Sequence, residues 1–127
     1  MTDYVLDASA VLAVIQEEPG AERIEAHLDT GCISAVNLAE VVGKLQDRGL
    51  GDNEIDELIA LLDLDTRILD KDGAVFMGKL RQSTKVAGLS LGDRACLALA
   101  HSLGATAITM DRAWKDLEIG VAIEVAR

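Results

Sequence analysis

Aromatic residues are almost missing: Tyr4, Phe76 and Trp114 are the only three in 127 residues. The core must therefore be aliphatic, and a base-stacking platform for single strands is excluded. Proline occurs once, at Pro19, so there is no proline-rich linker. Cysteine occurs twice, at Cys32 and Cys96, with no C-x-x-C pair, and His27 and His101 are equally isolated. That pattern leaves no zinc-ligand spacing. Two free buried thiols in a reducing cytoplasm is the simplest reading. No basic start leads into an apolar run, so no signal peptide is expected. The longest charge-free run, Ala95 to Met110, is interrupted by His101, Ser102 and Gly104 and is too short to span a membrane.

Basic charge is also scarce. Twelve Lys and Arg stand against 22 Asp and Glu, a formal net charge of −10. A broad basic surface for nucleic acid is excluded by that balance. A compact site is not, because acids gathered at one point act differently from acids spread over a surface. With 50% hydrophobic and 27% charged residues the chain is not disordered, and one domain over residues 1–127 is expected.

Short apolar runs alternate with helical patterns. Strands are expected at Tyr4–Leu6, Gly31–Ile33, Thr66–Leu69, Ala105–Thr109 and Val121–Val125. Helices are expected over Ala10–Gln16, Ala21–Leu28, Ala35–Arg48, Asn53–Leu62, Ala74–Gln82 and Leu91–Leu103. Ser34, Asp52 and Ser90 stand as N-caps, and Gly49 and Gly104 as stops. The alternation predicts an α/β fold with a mostly parallel sheet covered on both faces. Ligands in such sheets bind beyond the carboxyl ends of the strands.

Acids stand at those ends. Asp7 follows the first strand and Asp111 follows the Ala105–Thr109 strand, and each also suits a helix N-cap. Asp93 fits a capping box with Ser90, at the start of a helix that is apolar almost all round. Glu40 sits mid-helix among small apolar residues; the alternative is a narrow solvent stripe with a Glu40–Lys44 pair. Brought together, four carboxylates ionise fully only if cations hold them. Oxygen-only ligands suit Mg²⁺ or Mn²⁺, which activate water and steady displacement at phosphorus. The Ser9 and Thr109 hydroxyls, beside two of the acids, either orient a water or carboxylate or make local turn bonds.

These segments resemble PIN-domain nucleases, and most closely the VapC-type toxins of prokaryotic toxin–antitoxin pairs. Asp7-Ala8-Ser9-Ala10 looks like the family's opening motif, and Asn37-Leu38-Ala39-Glu40-Val41 like its Leu-x-Glu helix. Leu89 to Ala95 is similar to its Leu-x-x-x-Asp segment, and Thr109-Met110-Asp111 to its Thr-x-Asp. The resemblance covers nearly the whole chain. It implies a PIN-like three-layer α/β/α sandwich and Mg²⁺- or Mn²⁺-dependent endoribonuclease activity. Asp7, Glu40, Asp93 and Asp111 would be the metal-binding, catalytic acids, with Asp116 as an extra acid. It also implies a cytoplasmic homodimer and a cognate VapB-like antitoxin.

Arg94 and Arg112 each follow a proposed ligand and are the best candidates to meet RNA phosphates. Ordinary surface charge is the alternative. Gly73 to Gly92 contains no acid and carries Lys79, Arg81 and Lys85, whereas Asp52 to Asp72 holds eight acids against Arg67 and Lys71. Rival readings are another Mg²⁺-dependent phosphoryl hydrolase, or a catalytically silent cation-binding module for protein interaction. A second acid two residues after Asp7, a Walker A loop and a Gly-x-Ser-x-Gly elbow are all absent.

Overall fold

The computed structural model describes all residues, 1–127. Five strands form one sheet: β1 (Tyr4–Leu6), β2 (Gly31–Ser34), β3 (Asp65–Arg67), β4 (Thr106–Thr109) and β5 (Ile123–Val125). Their order is β3-β2-β1-β4-β5, and every neighbouring pair is parallel. The expected mostly parallel sheet is thus wholly parallel. Val5 registers with Cys32 on one side and Ala107 on the other, so β1, β2 and β4 end level. The order reverses between β1 and β4, the place where such sheets open a crevice.

Alternation along the strands sends side chains to two cores. Leu6, Ile33 and Ile108 pack on α1 (Ala8–Ile15), α2 (Ala21–Glu25), α3 (Ala35–Asp47) and α4 (Asp52–Leu62). Val5, Cys32 and Ala107 pack on α5 (Lys71–Thr84) and α6 (Leu91–Leu103). The result is an α/β/α sandwich. Trp114, the largest fully buried side chain, fills the second core; half-buried Phe76 is the only other aromatic packed there, and the rest is aliphatic apart from the Cys32 and Cys96 thiols.

Several boundaries differ from the sequence expectation. Helix α1 starts at Ala8 rather than Ala10, because Asp7 caps it directly. Asp52 is not the cap of α4 but its first residue; Gly51 is the N-cap, and Glu54 reaches back to the Gly51 N–H at 3.1 Å. Helix α5 starts at Lys71, capped by Asp70, which accepts from Gly73 N–H at 2.7 Å. Helix α2 ends at Glu25, and Leu28–Thr30 is a separate 3₁₀ turn. Strand β3 lies one to two residues earlier than expected, on an exposed edge. Both cysteines are buried free thiols, as expected. No helix is long and apolar enough to cross a membrane.

Candidate active site

The Thr109 hydroxyl and the Asp7 carboxylate meet where β4 and β1 end side by side. Thr109 donates to Asp7 Oδ2 at 2.5 Å, while Ser9 Oγ donates to Oδ1 at 2.7 Å. The Ala10 N–H also donates to Oδ1, at 2.8 Å, which is the N-cap of α1. Asp7 is 3% exposed. Burial pushes its carboxyl up to about 6, against the opposing pull of the Thr109, Ser9 and Ala10 bonds; the charge of Asp93 adds to the rise.

The same two hydroxyls tie down the next strand end. Ser9 Oγ accepts from the Met110 N–H and Thr109 Oγ1 from the Asp111 N–H, both at 3.0 Å. Asp111 in turn caps the 3₁₀ turn Arg112–Trp114 through the Ala113 N–H at 2.9 Å. Asp93 and Ser90 form the reciprocal box at the start of α6, with bonds of 2.9 and 3.1 Å. Three of the four acids therefore cap helical turns and face the crevice as well.

Glu40 comes from α3, held by a partner that sequence reasoning did not single out. Buried Asn37 donates from Nδ2 to Glu40 Oε1 at 2.8 Å and to the Gly92 carbonyl at 2.9 Å. Asn37 Oδ1 is itself fixed by the Ser34 hydroxyl at 2.5 Å. Asn37 thus ties α3 to the first turn of α6 and sets Glu40 beside Asp93. Gly92 makes the approach possible, because a Cβ there would overlap the Glu40 carboxylate. Only its position one residue before Asp93 hinted at that role.

Asp7, Glu40, Asp93 and Asp111 line one cleft of roughly 200 Å³, together with Ser9 and Lys44. The alternative Glu40–Lys44 pair does not form; the close acid–base contacts of the chain are His27–Glu124 and Arg67–Asp65. The donor set is all oxygen, which suits a hard divalent cation. No three of the acids converge at a single point in this arrangement. Three of them are tethered by their own cap bonds.

The remaining sequence candidates separate. Asp116 is exposed and does not line the cleft. Arg112 is exposed and lines an adjoining cavity. Arg94, expected to face substrate, is instead 7% exposed, with Nη1 donating to the Met77 carbonyl of α5 at 3.3 Å. A residue one step past Asp93 on a helix is turned about 100° away, here into the α5–α6 interface.

The PIN domain family model matches residues 4–120. The chain belongs to the PIN domain family. A search of curated proteins returned no significant match. Among solved structures, the fold is similar to DNA-bound VapBC from Salmonella typhimurium, at 20% identity and a TM-score of 0.76, covering 98% of each chain. A toxin–antitoxin complex from Klebsiella pneumoniae aligns at 19% identity and a TM-score of 0.79, again over 98% of each chain. VapBC-1 from nontypeable Haemophilus influenzae aligns at 20% identity and 0.71, with the same coverage. At these identities the likeness is one of fold.

Proposed function

We propose that this PIN domain is a Mg²⁺- or Mn²⁺-dependent endoribonuclease and the toxin of a VapBC-type toxin–antitoxin pair. One observation carries the reading: four acids from four separate segments, Asp7, Glu40, Asp93 and Asp111, line a single cleft at the reversal of the sheet. Helix capping alone does not require four acids to line one cleft. A divalent cation bound there would lower the pKa of a water and stabilise charge developing on a phosphodiester.

The chain's own groups do the positioning. Thr109 and Ser9 hold both oxygens of Asp7, so its carboxylate enters the cleft in one orientation. Asn37 holds one oxygen of Glu40, Oε1, and the Ser90 N–H holds one oxygen of Asp93, Oδ2. Asp7, Glu40, Asp93 and Asp111 are the proposed metal ligands. Such support limits the motion of the donors and so the loss of entropy on binding a cation.

The fold likeness to VapBC complexes supports a VapB-like antitoxin as partner. Exposed Leu61, Ile68 and Val86 supply apolar surface for that partner or for a second copy in a homodimer. The two free buried thiols are consistent with a cytoplasmic protein. Purified protein incubated with single-stranded RNA tests the activity. Cleavage should stop with chelator and return with Mn²⁺; equal cleavage in chelator would remove the metal from the account.

A further inference from the structure

A cavity of roughly 430 Å³, about twice the volume of the acidic cleft, lies beside it. Three arginines from three segments line it: Arg23 of α2, Arg112 after β4 and Arg127 after β5. Met110 and Gly20 contribute to the wall, and Glu18 carries the only acidic side chain among its lining. One peptide bond joins the two hollows, since Asp111 lines the cleft and Arg112 the cavity.

The close approach of α2 to the sheet edge shapes this cavity. Gly20 stands at φ +98°, and a Cβ there would overlap the Ala126 carbonyl oxygen. Without that glycine, the start of α2 could not lie against the chain that follows β5. The three guanidiniums are unpaired, the acid–base contacts of the chain lying at His27–Glu124 and Arg67–Asp65. Three like charges around one hollow repel each other, and an anion relieves the repulsion. In a chain of net charge −10, a concentration of free cation at one concave place is a local exception.

We propose that this cavity is a phosphodiester subsite, seating the RNA backbone next to the bond placed in the acidic cleft. The proposal rests on the ribonuclease reading above and adds the direction in which the strand leaves the cleft, toward β5. Planar guanidiniums match phosphate oxygens two at a time, which a lysine cannot do. Continuity with the cleft favours the substrate strand over an acidic segment of a protein partner.

The test uses a fluorescently labelled single-stranded RNA and its anisotropy, with Asp7→Asn in every variant to prevent cleavage. Arg23→Gln and Arg112→Gln should each weaken binding by about fivefold. Each should also flatten the slope of log affinity against log salt by about 0.7, the loss of one phosphate contact on a single strand. Arg23→Lys should recover the salt slope and only part of the affinity. Arg67→Gln, paired with Asp65 on β3 at the opposite edge of the sheet and outside the cavity, should change neither. Unaltered RNA affinity in both Gln variants, with cleavage by the wild type intact, would overturn the subsite and leave the ribonuclease reading standing. So would a loss confined to binding of an acidic peptide. No RNA cleavage by the wild type would overturn the ribonuclease reading and the subsite together.

Discussion

Thr109 donates a 2.5 Å hydrogen bond to Asp7, joining the ends of adjacent parallel strands across 102 positions of sequence. The bond does two things at once. It satisfies a buried carboxylate oxygen, and its hydroxyl oxygen accepts from the Asp111 N–H, so one side chain orients two acids of the cleft. Thr109→Val should leave Asp7 Oδ2 without this donor and cost about 1–3 kcal/mol of stability. It should also raise the Asp7 pKa and move the acid limb of the cleavage profile to higher pH. Thr109→Ser should restore both. Denaturant unfolding and a pH–rate profile check this; an unmoved profile in the Val variant would show that the hydroxyl has no hold on Asp7.

Asp7 makes the metal-free protein sensitive to pH in an unusual direction. Its folded pKa of about 6 lies above the ordinary 3.8, so the native state binds this proton more tightly than the unfolded state. The contribution favours folding below about pH 4, declines as pH rises through 6, and is then lost, a change of about 3 kcal/mol. Asp7→Asn removes this dependence. In chelator at pH 7 the variant should unfold at a higher temperature than the wild type, with the gap closing toward pH 4. A gap that does not change with pH would contradict the assigned cause.

Gly92→Ala separates activity from stability. Alanine is ordinarily the better helix residue, by roughly 0.5–1 kcal/mol. Here its methyl would overlap Glu40, the flexible end of a side chain, which must turn away. Cleavage should fall by about 100-fold while the unfolding free energy changes by less than about 1 kcal/mol. Assay and denaturant titration on one preparation distinguish the two effects.

Arg94 belongs to the interior. Its Nε has no partner and its one hydrogen bond is to the Met77 carbonyl. Arg94→Met should leave RNA affinity unchanged and hold or raise stability by about 1 kcal/mol, because an unpaired buried cation is replaced by an apolar chain of similar length. A specific loss of RNA binding would return Arg94 to the substrate surface.

The four acids were legible because each stands where local pattern changes: Asp7 and Asp111 after apolar strands, Asp93 at a cap, Glu40 as a lone charge amid small residues. Their partners were not, since Asn37 and Gly92 meet 55 positions apart and leave no periodic trace. Arg94 was a candidate to meet substrate because it follows Asp93 in sequence, but helical rotation decides its direction. Strand β3 was misplaced because Asp65-Thr66-Arg67 is a polar edge without an apolar run. The start of α5 was hidden by Gly73, whose N–H is the group that Asp70 caps.

Cleavage of single-stranded RNA by wild type and Asp7→Asn side by side, both with Mn²⁺ at pH 7, tests the central claim most directly. The four-carboxylate site predicts cleavage by the wild type and a loss of at least about 1,000-fold in an Asp7→Asn protein that remains folded. Equal cleavage by the two proteins would contradict it.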